Sequence, residues 1–187
     1  MEGGFFSGQL LIAMPGIGDP RFERALILVC AHDAEHAMGL AVNRPADGLT
    51  VPDLLERLQV KSTIRGPDDL VLVGGPVETE RGFVLHTNDF AADHSLQVGG
   101  GVALTATREA LEAMVDPSGH PRRALLTLGY AGWGAGQLED EIKANVWLTC
   151  DADEELIFGD DYPNKWRRAL AKLGVDPQFL GSAAGRA

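Results

Sequence analysis

Basic residues, cysteines and aromatics are all scarce in this chain. Its 187 residues include 16 Lys or Arg against 27 Asp or Glu, a formal net charge of -11. A surface of that sign repels nucleic-acid phosphates and anionic membranes unless basic residues gather locally. Two groups could do so: Lys165, Arg167, Arg168 and Lys172, on a short helix shared with Trp166 and Leu170, and the pair Arg122 and Arg123. Neither has the form of a DNA-reading element, so direct nucleic-acid binding is not expected. The apolar runs are strand length, far below a membrane span. No basic residue precedes Arg21, so a secretory leader with a charged start is not expected. The two cysteines, Cys30 and Cys150, lie far apart, each after a β-rich apolar run. Reduced thiols in a cytoplasmic protein are the expectation. There is no G-x-S-x-G elbow and no distinctive Ser-His-Asp set. No internal repeat or low-complexity linker divides the chain, so residues 1–187 read as one domain.

What is present is a series of short β-like runs punctuated by glycine and proline. Leu10 to Met14, Ala25 to Cys30 and Ala37 to Val42 are nearly unbroken apolar runs, suited to strands buried on both faces. The short polar link from His32 to His36 predicts a hairpin. Thr50-Val51-Pro52-Asp53 opens a helix with Leu54, Leu55 and Leu58 on its apolar stripe. Leu70 to Val73 and Gly82 to His86 are strands, expected to pair across a turn at Gly74-Gly75-Pro76. Val102 to Leu104 is a strand before a helix from about Thr107 to Val115. Ala124 to Leu128 is a strand, Gln137 to Ala144 a helix, and Val146 to Thr149 and Leu156 to Phe158 short strands. A last helix, begun by Asp161-Tyr162-Pro163, ends at Gly174. Strand runs with interspersed helices point to an α+β fold with a mixed sheet.

The most distinctive stretch runs from Leu128 to Glu139, with glycines at 129, 132, 134 and 136 around Trp133. It resembles a dinucleotide-binding turn, but the G-x-G-x-x-G spacing fails, because Gln137 stands where the third glycine is required. Glu139, Asp140 and Glu141 then crowd the helix start, where carboxylates repel a phosphate. A tight strand-to-helix turn, with Trp133 packed over a neighbouring element, is the expectation. Gly74-Gly75-Pro76 lacks the G-K-[ST] ending of a phosphate loop. No cofactor is expected.

Cys30-x-His32-x-x-x-His36 has the look of metal-ligand spacing, which Asp33, Glu35 or a distant His86 could complete, but Cys30 ends an apolar run and is expected to point inward, so no metal is expected. The same residues admit a thiol reading. Cys30 and His32, two apart on a strand, could share a face, with His86 as another partner and the Gly74-Gly75 amides as an oxyanion site. Against it stands a buried structural cysteine beside a backbone-bonded histidine.

Four blocks carry a family resemblance. The first is Gly8-Gln9-Leu10-Leu11-Ile12-Ala13-Met14-Pro15 with Asp19-Pro20-Arg21-Phe22-Glu23-Arg24, continuing through Cys30, His32 and Gly39 to Asn43-Arg44-Pro45. The second is Gly74-Gly75-Pro76-Val77 with Arg81-Gly82-Phe83-Val84-Leu85-His86. The third runs from Leu128 through Glu141-Ile142 to Asn145-Val146-Trp147-Leu148. The fourth is Trp166 with Leu173-Gly174-Val175-Asp176. In this order they resemble the AlgH/YqgE-like family of bacterial proteins. The resemblance implies a compact α+β fold with a mixed, partly barrel-like sheet, and no settled activity; some members carry the label of transcriptional regulator. Its pattern has glycine where this chain has His36.

The candidate pocket gathers residues from these blocks: Asp19, Cys30, His32, Asn43, Arg44, Gly74, Gly75, His86, Trp133 and Gln137. If they converge around Trp133, they line a small polar site. The expected function is a binding or regulatory protein with an unknown protein or small-molecule partner, any effect on transcription being indirect. The alternative is an enzyme or redox sensor using Cys30 with His32 or His86.

Overall fold

The computed structural model describes residues 5–57, 59, 70–89, 95–105 and 121–178. Among these residues ten strands form one mixed, curled sheet that closes about half a barrel, which makes the fold α+β. They are β1 (Gln9–Ala13), β2 (Leu26–His32), β3 (His36–Ala41), β4 (Pro45–Thr50), β5 (Leu70–Val73), β6 (Val77–Thr87), β7 (Leu96–Gly99), β8 (Val102–Thr105), β9 (Ala124–Gly134) and β10 (Trp147–Asp151). The main path runs β10-β1-β2-β3-β9-β6-β8-β7. Among the described residues four helices flank it: α1 (Val51–Arg57), α2 (Gln137–Lys143), α3 (Glu154–Phe158) and α4 (Lys165–Lys172). No helix among the described residues is long and apolar enough to cross a membrane.

Local chemistry explains several elements. Asp33 makes the β2–β3 hairpin, its Oδ1 accepting from the amides of Glu35 at 2.8 Å and His36 at 3.0 Å. Thr50 and Asp53 cap α1 reciprocally, Thr50 N and Oγ1 both donating to Asp53 Oδ2 at 3.1 and 2.9 Å. Residues 156–158, expected as a strand, are helical. Asp153 Oδ1 accepts from Leu156 N at 2.8 Å, Glu154 and Glu155 occupy the first turn, and Leu156, Ile157 and Phe158 are all buried. Three consecutive apolar residues do not separate strand from helix; the cap does. The expected helix from Thr107 to Val115 and the stripe residue Leu58 lie outside the described residues.

The greatest departure from expectation is at Gly74-Gly75-Pro76. β5 and β6 do not pair with each other. At Thr127 and Leu128, β5 pairs parallel with one edge of β9 while β6 pairs antiparallel with the other. The link between them therefore crosses β9. It crosses in contact: a Cβ on Gly75 would overlap the Tyr130 carbonyl carbon, and one on Gly74 would overlap Gly129 O. Only glycine lets one main chain ride on another this closely. Gly74 N donates to Leu128 O and Gly74 O accepts from Ala41 N, both at 2.8 Å, joining β9 to β3.

Gly129 answers from below. At φ 76° it slips the alternation of β9 by one residue. Leu126 and Leu128 pack with Leu54 and Leu55 of α1, whereas Ala131 and Trp133 pack with Leu138 of α2. On the opposite face Leu125 and Tyr130 join the cluster that holds Leu10, Leu28, Cys30, Trp166 and Leu170. The glycine-rich stretch is thus strand as far as Gly134, and the turn shrinks to Ala135-Gly136, with Gly136 at φ 70°.

Candidate functional site

Trp133, near the end of β9, meets Trp147 at the start of β10 edge to face, with centroids 6.0 Å apart and planes at 77°. Phe22 packs on Trp147 in the same way at 5.7 Å. Both indole N–H groups donate to a single oxygen, Glu141 Oε1, Trp133 at 3.1 Å and Trp147 at 2.9 Å. Gln137, one helical turn earlier on α2, donates its amide to Glu141 Oε2 at 2.9 Å and accepts from Gly134 N at 2.9 Å. Its side chain thereby closes the strand-to-helix turn. These groups, with Asp19, Arg21, Phe22, Pro76 and Val77, border a cavity of about 400 Å³.

The opposite rim is a 3-10 turn over Pro20–Phe22 that Asp19 caps, its Oδ1 accepting from Arg21 N at 3.0 Å. The Arg21 guanidinium returns to Asp19 at 2.8 Å, and this bond holds the Asp19 carboxyl below the usual carboxylate range. Arg44 fixes the turn from behind, Nη1 donating to the Arg21 and Glu23 carbonyls and Nη2 to that of Pro20. Asn43 does the same for the next residues, donating to Arg24 O at 2.8 Å and accepting from Leu26 N at 3.0 Å.

A more apolar groove of about 620 Å³ lies alongside, lined by His36, Met38, Arg81, Phe83, Leu96 and Tyr130 among others. Val77, Gly132 and Trp133 belong to both hollows. A ligand touching Trp133 on one side meets a wall of the other.

The ten residues of the candidate pocket separate into several places. Asp19, Trp133 and Gln137 meet at the cavity, and Gly75 leads into its wall at Pro76. Asn43 and Arg44 line a neighbouring hollow with Arg24 and Trp166. Gly74 is engaged in the main-chain crossing, its N–H bonded to Leu128 O and so unavailable to an oxyanion.

Cys30 and His32 do not share a face. A bulge in β2 between Val29 and Ala31 reverses the alternation, so Cys30 joins the cluster of Leu10 and Leu28 while His32 pairs with Ala37 on the other side. Cys30 Sγ donates to Leu28 O at 3.5 Å, and burial pushes its thiol up to about 12. His32, with its side chain 1% exposed, ties the N-terminal segment to α2. Nδ1 accepts from Phe6 N at 2.9 Å, which makes Nε2–H the donor to Glu139 Oε1 at 3.0 Å. Phe6 stacks on the ring at 5.6 Å. His86 is buried with Val84 rather than Leu85 on its strand, away from Cys30. Its Nδ1 lies 2.8 Å from Thr87 O and its Nε2 2.8 Å from Thr105 Oγ1. Among the described residues no three of His, Cys, Asp and Glu gather as a metal site.

Glu141, Trp147 and Phe22 are walls that the sequence reading does not single out. Glu141 sits in an acidic run that reads as a solvated helix face. The available signal was its i, i+4 spacing from Gln137, which puts an amide and a carboxylate on one stripe of α2.

Fold and cavity together define a class: a curled-sheet α+β protein with a tryptophan-walled hollow at the edge of its central strand. The sequence model of the AlgH-like family matches residues 10–178, and the chain belongs to that family. It is 62% identical over 187 residues to a UPF0301 protein of Caulobacter vibrioides, covering all of this chain and 96% of that one. A UPF0301 protein of Bradyrhizobium sp. is 53% identical over 194 residues, with 100% and 89% covered. The solution structure of the AlgH protein from Pseudomonas aeruginosa superposes with a TM-score of 0.79 at 36% identity, covering 100% of this chain and 98% of that one. A crystal structure from Corynebacterium diphtheriae, at 17% identity and TM-score 0.73 over 96% and 94% of the two chains, shares the fold.

Proposed function

We propose that this protein works by binding. A small organic ligand occupies the Trp133–Trp147 cavity, and the loaded protein acts on a protein partner in the cytoplasm. The observation that supports this is the composition of the wall. It holds three aromatic rings, an amide, an ion pair and a carboxylate already oriented by three donors, with no Ser, Cys or His among the described residues that line it. Such a wall has surfaces for an apolar body and an acceptor for a donor group, and its two carboxylates are already engaged, Asp19 by Arg21 and Glu141 by the indole and amide donors.

An effect on transcription is indirect under this reading, because the chain carries a net charge of -11, which opposes the phosphates of a duplex. Thiol chemistry at Cys30 is disfavoured by its burial, its raised pKa and the histidines on the opposite face.

A fragment screen followed by the indole N–H resonances tests the proposal. True ligands should move Trp133 and Trp147 together and leave Trp166 in place, and Gln137→Ala should weaken them about tenfold. A sequence-specific, salt-dependent DNA complex formed by the isolated protein would count against it.

A further inference from the structure

The 19–24 loop also borders a second hollow, of about 320 Å³, shared with Asn43, Arg44, Pro45 and the start of α4. Arg24, Arg44 and Arg167 line it against one carboxylate, Glu23. Elsewhere Arg21, Arg81, Arg122, Arg123 and Lys172 pair with Asp19, Glu78, Glu154, Glu155 and Asp153 respectively. Among the described residues none of the three arginines of the hollow forms a close ion pair, and the charge of Arg44 also helps to lower the Asp19 carboxyl.

The hollow is also built. Arg24 is held in the left-handed region at φ 54°, a conformation that favours glycine. Asn43 maintains it from both sides, through Arg24 O and Leu26 N. The guanidinium then sits over the Trp166 ring, 5.4 Å from its centroid. Trp166 is itself fixed, donating Nε1–H to Ala13 O at 2.8 Å. Arg44 uses its η nitrogens on loop carbonyls and retains its Nε–H.

Three arginine side chains lining one hollow supply the charge and the N–H donors that the oxygens of a doubly charged tetrahedral anion take up. We propose that this hollow binds a phosphate dianion, free or as a small phosphate monoester, on Arg24, Arg44 and Arg167. This holds whether or not the Trp133 cavity binds its own ligand.

Calorimetric titration of the full chain with adenosine monophosphate, inorganic phosphate and adenosine tests it. Either phosphate compound should bind and adenosine should not. A tighter monophosphate assigns the hollow to an ester, and equal affinities assign it to the free ion. Arg24→Gly is the sharp variant, since glycine accepts the same φ without strain and keeps the fold while the guanidinium is lost. Arg24→Gly and the exposed Arg167→Gln should each weaken binding at least tenfold, whereas Gln137→Ala, in the other cavity, leaves it unchanged. The proposal is overturned if neither phosphate compound binds at millimolar concentration. It is equally overturned if adenosine binds as well as its monophosphate, or if both arginine variants bind like the parent.

Discussion

Gly75 rests on the peptide of Tyr130, so close that a single added methyl group would overlap the Tyr130 carbonyl carbon. The contact is main chain on main chain, at the point where the β5–β6 link passes over β9. No flexible side chain is available to give way.

Gly75→Ala should therefore destabilise the protein by about 3 kcal/mol, at the upper end of overpacking costs. Gly16→Ala is the control, since nothing lies within 4 Å of a Cβ there, and it should shift stability by less than about 0.5 kcal/mol. Urea unfolding of the two variants checks the difference. Equal midpoints would mean that the crossing is looser than described.

Glu141 joins α2 to both tryptophans. Glu141→Gln replaces a charged acceptor with a neutral amide, and should lower stability by about 2 kcal/mol. It should also shift the indole N–H resonances of Trp133 and Trp147 upfield together. Trp166, bonded to Ala13 O, is the internal reference and should not move. Independent shifts of the two indoles would contradict a shared acceptor.

Lys165 is fully buried, its ammonium donating to Val42 O at 2.9 Å and Ile157 O at 2.8 Å beneath the Tyr162 ring. Burial pushes it down from 10.5 to about 7. Between those values the unfolded chain holds more protons than the folded one, so this group makes stability rise with pH, by at most about 1.4 kcal/mol per pH unit. Below about pH 7 both states carry the proton, and the contribution is flat at its least favourable value. Lys165→Met should remove this rise, so that the difference between parent and variant changes steadily from pH 7 to 10. A difference that does not vary with pH would show that the lysine titrates normally.

Cys30 should resist alkylation in the native protein at pH 8, because its thiol is buried and raised to about 12. Labelling should follow unfolding and accelerate with urea. Rapid modification of native protein, with a rate that rises around neutral pH, would restore the thiol reading.

Much of the fold is legible because local signals are unambiguous where they occur. Asp33 marks a hairpin and the Thr50–Asp53 pair marks a helix start, whatever surrounds them. The errors have a common physical origin in single residues that shift phase. Gly129 slips β9 by one residue, and the bulge before Ala31 turns Cys30 away from His32. Neither leaves a trace in hydropathy, because both neighbouring faces are buried. Gly74-Gly75 reads as a turn because glycine is common in turns; a close main-chain crossing demands the same residue for a different reason. At the cavity, Trp133, Gln137 and Asp19 were recognisable as polar or aromatic residues within family blocks. Glu141 was hidden because it stands in an acidic run at a helix start, a pattern that by itself reads as a solvated face. Lys165 was hidden because a lysine in a basic helix is normally exposed.

The position of β9 has a consequence for biosynthesis. Its partners β3, β5 and β6 all precede it in the chain, yet each borders this one strand. A growing polypeptide therefore waits, with these strand edges unpaired, until residues 124–134 have emerged from the ribosome and can slot in beneath the Gly74-Gly75 strap. The sheet is thus joined through its middle, and late, with only the edge strand β10 still to be added.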